Sequence, residues 1–278
     1  MDTFKLAENI EARTIAIRVK EVGKMVDFYK QVVGLVIKSE ENNLSIFGTQ
    51  EAGTQLLILE ETRSAAAYHG EMKQLALFSI KVPTKEEFFK IAHRIMRHQH
   101  PIDATKKQGS LISLIATDVE GNRFEIYYDP FNERNKGAAV AEDFDLLQEM
   151  PEKLAKHGGL AAGSFVGCLQ LNVSNKTKLL KFYQEVLGLQ QGPVPEMVSV
   201  NKGKFLVSFH EVVSEELDQL SDPHIGLDFL SFKVASTSQI EQMEAHLRTL
   251  ELDFFIDKKK SILTIFDPIG IEWWFTIK

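Results

Sequence analysis

The chain has 278 residues, of which 44% are hydrophobic and 26% charged, a composition typical of a globular protein long enough for two domains. Its formal net charge is −7 and its acidic residues are spread along the chain, which argues against a nucleic-acid surface. A single cysteine excludes an internal disulfide, and no run approaches the ~18 apolar residues of a membrane helix or resembles a signal peptide. We therefore expect a cytoplasmic protein without nucleic-acid or membrane partners.

The first segment, module A, opens with an alternating strand. Ile15, Ile17 and Val19 point to one face and Thr14, Ala16 and Arg18 to the other. Helical spacing of apolar residues then predicts a helix over 22–33, which Gly34 ends. Strands are predicted at 36–39, 44–47 and 56–59, so the element order is βαβββ.

The second segment, module B, predicts the same order. A strand at 76–82 and a helix over 84–98 are followed by strands near 110–116 and 123–128, with residues 118–122 as the turn of a hairpin. Residues 131–163 are rich in alanine, glycine and charge and are interpreted as a linker.

The second half of the chain repeats the first. The motif PheTyr-x-x-Val-x-GlyLeu occurs at 28–35 and again at 182–189, and the run at 78–82 recurs at 230–234. Four modules, A, B, A′ and B′, thus fill the chain and predict an α+β fold. A βαβββ module leaves one sheet face uncovered, so we expect modules to pair their sheets around a ligand cleft. The expected domains are residues 1–130 and 164–278, each a pair of modules.

These motifs, with the segments 121–128 and 267–275, resemble the vicinal oxygen chelate superfamily, which includes glyoxalase I, bleomycin-resistance proteins and extradiol dioxygenases. The resemblance implies four βαβββ modules in two domains. It also implies a divalent ion, held by His or Gln on the first strands of paired modules and by Glu on a last strand, with open positions for a chelating substrate.

The chain departs from that pattern at the ligand positions. Where similar dioxygenases carry histidines, the second half has Cys168, Gln170 and Phe229, and the first half has Thr14 and Leu77, while Glu125 is kept. An ungapped count from Gly270 puts Trp274 at the glutamate position of the second half, whereas a hairpin shortened by two residues puts Glu272 there. We prefer Glu272, and we expect no metal or other cofactor.

Each of these residues also has a simpler interpretation. Cys168 is typical of a small buried hydrophobic residue, and Glu125 and Glu272 of polar residues on a solvent-facing strand. The aromatic residues near the C-terminus alternate along their strand, so we expect one set to pack in the core and the other set to line a pocket. The Lys258–Lys260 run is best explained as a turn between two strands, and the histidines show no metal-binding spacing.

The pattern favours a metal-independent binding protein for a small aromatic or apolar ligand, with the cleft in the second half and a monomeric or homodimeric state. On this hypothesis, Phe229→His with Cys168→His would create a metal site beside Glu272. One alternative is a metal-dependent ring-cleaving dioxygenase or glyoxalase-like lyase, with Fe(II) or Mn(II) as the metal. Another comes from residues 254–275, which resemble the end of the CppA family, named for a complement C3-degrading proteinase, although no protease spacing is present.

Overall fold

The computed structural model describes residues 4–62, 73–136, 141–154, 158–213 and 225–277 and contains four βαβββ modules. Module A consists of β1 (Glu11–Val19), α1 (Val22–Asp27, continued as a π-helix over Phe28–Val33), β2 (Val36–Glu41), β3 (Leu44–Gly48) and β4 (Leu57–Glu61). Module B consists of β5 (Leu75–Lys81), α2 (Lys85–Arg97), β6 (Ala104–Gln108), β7 (Leu111–Thr117) and β8 (Arg123–Tyr128).

The second half repeats this order after a short connection. The connection contains a 3-10 helix (Glu133–Lys136), β9 (Glu142–Asp143) and α3 (Leu146–Glu149). Module A′ consists of β10 (Phe165–Val173), α4 (Lys176–Lys181, continued as a π-helix over Phe182–Val186), β11 (Gln190–Gln191), β12 (Met197–Val200) and β13 (Phe205–Glu211). Module B′ consists of β14 (Gly226–Lys233), α5 (Thr237–Thr249), β15 (Phe255–Ile256), β16 (Ile262–Phe266) and β17 (Glu272–Thr276).

The predicted elements of modules A and B are found within one or two residues of their expected bounds, and the α+β class is confirmed. The strand Ala104–Gln108 was not predicted, because its sequence is polar and shows no apolar alternation. The turn predicted at Lys258–Lys260 is confirmed, since the Lys260 amide donates to the Asp257 carbonyl between β15 and β16. Residues 137–140 and 155–157 of the predicted linker lie outside the described residues.

The PheTyr motif forms the π-helical end of α1 and of α4. A π-turn inserts one extra residue into the helix, which here carries Tyr29 and Tyr183 into the core. Gly34 then ends the first helix with φ 90°, a left-handed conformation that favours glycine. A Cβ at Gly34 would also collide with the Arg94 guanidinium, which donates to the Val33 carbonyl at 2.7 Å.

The two sheets join modules from opposite halves of the chain. One sheet has eight strands in the order β15-β16-β17-β14-β1-β4-β3-β2, and the other has nine in the order β11-β12-β13-β10-β5-β8-β7-β6-β9. We call them the A/B′ sheet and the B/A′ sheet. The first strands meet at the centre of each, β1 antiparallel to β14 and β5 antiparallel to β10.

The prediction that neighbouring modules pair their sheets within 1–130 and within 164–278 is therefore wrong, although the boundaries themselves stay predictions. Modules A and B instead pack through the α1 side. Tyr29 Oη donates to Asp118 at 2.7 Å, and the rings of Phe28 and Phe124 lie 5.8 Å apart. This packing leaves the first strands β1 and β5 free to pair with the other half. None of the described helices is long and apolar enough to span a membrane.

Candidate functional site

The eight candidate residues from the sequence lie on two different sheets. Those on the A/B′ sheet are Thr14, Phe229, Glu272 and Trp274, and those on the B/A′ sheet are Leu77, Glu125, Cys168 and Gln170. Some candidates are neighbours on adjacent strands: Phe229 lies opposite Glu272, and Gln170 lies opposite Leu77. The association of Cys168 with Phe229 and Glu272, on which the double histidine variant rests, is therefore wrong, and so is that of Thr14 with Glu125.

The hairpins before β8 and β17 have the same length. In the first, the Asp118 side chain accepts from the amides of residues 120 and 122, and in the second the Asp267 side chain accepts from those of residues 269 and 271. Glu125 and Trp274 consequently occupy equivalent positions, opposite Ser79 and Ser231. The preferred register with a shortened hairpin is wrong. Glu272 lies two residues earlier on the same strand face.

At the centre of the B/A′ sheet, Glu125 is bound by two donors from the chain itself. The side chain of Arg134 donates to both carboxylate oxygens at 2.8 Å, and Ser79 Oγ donates to Oε2 at 2.6 Å. Glu125 is 5% exposed, and the Arg134 guanidinium also lies 4.2 Å from the centre of the Tyr127 ring. This ion pair is thus shielded from water and charge-assisted.

Residues 129–136, which we call the strap, place Arg134 over this sheet. The Asp129 carboxylate accepts from the Glu133 and Arg134 amides at 2.8 and 3.2 Å, and Asn135 Nδ2 donates to the Gly203 carbonyl at 3.2 Å. The strap therefore runs from the end of module B to the turn before β13 in module A′. Tyr127 fits beneath it because residue 167 is glycine, whose missing Cβ would lie 2.0 Å from Tyr127 Oη.

Cys168 lies in the same cluster and is buried. Burial raises the pKa of its thiol, and the nearby Arg134 only partly opposes this shift. A thiol that stays protonated is a poor nucleophile and a poor metal ligand. The structure thus favours the packing interpretation of Cys168.

On the A/B′ sheet, four charged side chains, which we call the carboxylate cluster, lie together on the face opposite the helices: Arg18, Glu60, Asp228 and Glu272. Arg18 forms an ion pair with Asp228 at 2.5 Å. Asp228 also hydrogen-bonds Glu60, which requires a proton on one of the two carboxyl groups. Burial, the Glu60 hydrogen bond and the charges of Glu60 and Glu272 raise the pKa of Asp228 to about 7, despite Arg18.

Beside the carboxylate cluster lies a stacked aromatic pair. The Phe229 and Trp274 rings are 4.6 Å apart with an interplanar angle of 17°, and both side chains are partly exposed. Trp274 Nε1 is buried and has no hydrogen-bond partner among the described residues. A buried N–H without an acceptor is costly, so this donor is suited to a bound water or ligand.

Sequence reasoning missed Arg18, Glu60, Asp228 and Arg134 as site residues. A signal existed for Arg18, because the alternation of β1 puts it on the same face as Thr14 and Ala16. Glu60 pairs with Arg18 only through the parallel β1–β4 register. Arg134 lies in the segment interpreted as a linker, and nothing in its local sequence indicates that it reaches Glu125.

The donor sets at the expected metal positions do not fit a divalent ion. Within the described ranges, no group of three or more His, Cys, Asp or Glu side chains is arranged to hold one. Thr14 Oγ1 is buried and donates to the Gln55 carbonyl at 3.2 Å, and Trp274 stands in the place of a carboxylate. Glu125 already binds a guanidinium, whose positive charge opposes a second cation.

Comparison with known proteins places this geometry in a family. The CppA C-terminal model matches residues 164–275 and the CppA N-terminal model matches residues 13–103. No curated protein matches the chain at a significant level.

Three solved structures share the fold over nearly the whole chain. The cppA protein from Streptococcus pneumoniae TIGR4 is 16% identical, with a TM-score of 0.66 over 96% of this chain and 99% of that one. A putative dioxygenase from Bacillus subtilis is 13% identical, with a TM-score of 0.63 over 100% and 87%. Glyoxalase I from Zea mays is 13% identical, with a TM-score of 0.58 over 96% and 92%. The chain thus belongs to the CppA family and has a fold consistent with the vicinal oxygen chelate superfamily.

Proposed function

We propose that this protein binds a small aromatic ligand without a metal ion, on the face of the A/B′ sheet opposite the helices. The observation that carries the proposal is the stacked Phe229–Trp274 pair, which lies beside the carboxylate cluster and offers an unpartnered indole N–H. Partly exposed aromatic rings bind flat apolar groups, and neighbouring carboxylates favour a positive charge on them.

The internal ion pairs support the absence of a metal from this function. Arg134 neutralises Glu125 in one sheet and Arg18 neutralises Asp228 in the other, so each site has a cationic group of its own. A guanidinium fixed in this way leaves no coordination position to a substrate. A ring-cleaving dioxygenase or a glyoxalase-like lyase would need such a position, and the described donor sets give that alternative no support.

The proteinase alternative draws no support from the cysteine either. Cys168 is buried, its thiol pKa is raised, and the groups that perturb it are Arg134 and Glu125 rather than a histidine. A cysteine nucleophile normally needs a partly exposed, electropositive setting that lowers its pKa. Binding therefore accounts for the site better than proteolysis.

Fluorescence polarisation with two dyes tests the proposal. Cationic ethidium is expected to bind wild-type protein more tightly than anionic anilinonaphthalene sulfonate. Phe229→Ala and Trp274→Ala are each expected to weaken ethidium binding about five- to thirtyfold, because each removes a stacking or cation–π contact of about 1 to 2 kcal/mol.

Phe255→Ala is the matched control, because Phe255 is an exposed phenylalanine of the same module and lies on the edge strand β15. It is expected to leave the ethidium affinity unchanged. The proposal fails if ethidium does not bind, or if Phe255→Ala weakens its binding as much as Phe229→Ala.

A further inference from the structure

The two sheets carry opposite charge at equivalent positions. In β1, Arg18 lies opposite Glu60 of the parallel strand β4. The corresponding pair in module A′ is Asn172 of β10 opposite His210 of β13. An arginine and a carboxylate at paired positions in one sheet are thus replaced by an amide and an imidazole in the other.

The remaining two positions of the carboxylate cluster also lose their negative charge in the B/A′ sheet. The pairing of β14 with β1 and of β5 with β10 makes Asp228 equivalent to Ala76. The equal hairpins make Glu272 equivalent to Arg123, the residue after each turn. One sheet therefore carries three carboxylates and an arginine at these positions, whereas the other carries an arginine and no carboxylate.

These positions of the B/A′ sheet line a cavity of about 320 Å³, which we call the basic pocket. Its lining residues are Lys73, Leu75, Ala76, Gly121, Arg123, Gln170, Asn172 and His210. None of them is acidic. The volume of this pocket exceeds that of an inorganic ion and lies at the lower end of the range of volumes known for pockets that bind organic ligands.

The basic pocket offers hydrogen-bond donors from Lys73, Arg123 and Gln170. Lys73 Nζ donates to the Glu120 carbonyl at 2.8 Å and to Asn122 Oδ1 at 2.9 Å, which leaves its third hydrogen free to donate. The side chains of Arg123 and Gln170 make no hydrogen bond or ion pair within the described residues. Arg123 is also exposed, so its planar guanidinium is accessible to a ligand.

We propose that the basic pocket binds a small organic anion through its carboxylate or phosphate oxygens, at a site separate from the aromatic pair of the A/B′ sheet. Arg123 provides the forked donor that matches two oxygens of such a group. Lys73, two residues before β5, and Gln170 of β10 add donors, and the apolar Leu75 and Ala76 contact the ligand body. This inference does not depend on the proposed binding of an aromatic ligand.

Calorimetric titration with citrate and with inorganic phosphate, at low ionic strength, tests the proposal and distinguishes the two oxyanions. Arg123→Gln is expected to weaken binding about tenfold or more, because a hydrogen bond to a charged group is lost. Gln170→Leu is expected to weaken it about fivefold without any change in charge. Arg97→Gln, at an exposed position of α2, is the charge-matched control and is expected to have no effect.

Two results would overturn the proposal. One is the absence of binding of both anions at millimolar concentration by the wild-type protein. The other is an equal loss of affinity in Arg123→Gln and Arg97→Gln, because this would indicate attraction by diffuse charge instead of a site. A circular dichroism spectrum and a urea unfolding midpoint that match the wild-type protein would show that Arg123→Gln is folded.

Discussion

At the scale of single residues, two arginines form ion pairs with carboxylates on the sheets that carry the expected metal positions. Arg134 binds Glu125 in the B/A′ sheet, and Arg18 binds Asp228 in the A/B′ sheet. The sequence predicts that histidine is absent from the expected ligand positions, where Cys168, Phe229, Thr14 and Leu77 stand. The guanidiniums were not predictable as partners, because the strap that places Arg134 and the β1–β14 pairing that places Arg18 beside Asp228 are tertiary features.

Arg134→Ala tests whether the ion pair at Glu125 contributes to stability. The variant leaves a carboxylate that is 5% exposed with Ser79 as its remaining side-chain donor. We expect the free energy of unfolding in urea to fall by about 2 to 4 kcal/mol. Lys136→Ala, in the same short helix, breaks only an exposed pair with Glu133 and is expected to cost less than about 0.5 kcal/mol. Equal small losses in the two variants would contradict a buried ion pair.

Asp228 predicts a pH dependence of stability. Its pKa is about 7 in the folded protein, above the ~3.9 of an unfolded aspartate, so the folded state binds the proton more tightly. The free energy of unfolding contributed by this group therefore rises as pH falls from about 8 towards 4.

Urea unfolding at pH 5 and pH 8 measures this contribution. Asp228→Asn is expected to reduce the gain in stability between pH 8 and pH 5, whereas Asp253→Asn, at an exposed position, is expected to preserve it. Asp267, whose pKa burial raises to about 6, contributes in the same direction in all three proteins. An unchanged difference in Asp228→Asn would refute the shifted pKa.

At the scale of secondary-structure elements, each half of the chain contains the same bond between a π-helix and a hairpin turn. Tyr29 donates to Asp118 and Tyr183 donates to Asp267, both at 2.7 Å. The aspartates also cap the turns of two hairpins of equal length, which fixes the register of β8 and β17. The sequence contained this information in Asp118 and Asp267 with Gly121 and Gly270, so the ungapped register was available without the structure.

Removal of either hydroxyl tests these bonds. Tyr29→Phe and Tyr183→Phe are each expected to lower the free energy of unfolding by about 1 to 2 kcal/mol, because each leaves a buried carboxylate with one donor fewer. Tyr128→Phe, at a partly exposed position of β8 without a side-chain hydrogen bond among the described residues, is expected to be nearly neutral. Thermal or urea unfolding of the three variants measures the difference. Neutral behaviour of both core variants would contradict the proposed role of the bond.

At the scale of the whole molecule, each sheet needs a module from both halves of the chain. The repeats and the four βαβββ modules were predictable from periodicity and turn residues. The pairing of modules was not, because the first strands β1, β5, β10 and β14 are similarly apolar and any two of them could pair by pattern alone. The choice depends on the helix and turn contacts that join modules A and B on their other side.

Because each sheet contains strands from both halves of the chain, we predict that neither half folds as a stable monomer. A fragment of residues 1–136 leaves β1 and β5 without their partners β14 and β10, so two central strand edges become exposed. We expect the separate halves to be unfolded or self-associated, and a mixture of residues 1–136 and 141–278 to form one folded complex. Size-exclusion chromatography with circular dichroism measures this outcome. A folded, monomeric N-terminal half would refute the assignment of the sheets.

The most direct test of metal-independent binding is a metal measurement on protein purified without chelator. Elemental analysis, followed by titration with Fe(II), Mn(II), Zn(II) and Ni(II), compares the wild-type protein with Arg134→Gln. We expect no stoichiometric metal and no binding at micromolar ion concentration in the wild-type protein, because Arg134 already neutralises Glu125 and Trp274 stands at the equivalent position of the other sheet. One tightly bound ion per chain would contradict this account and favour a metal-dependent enzyme.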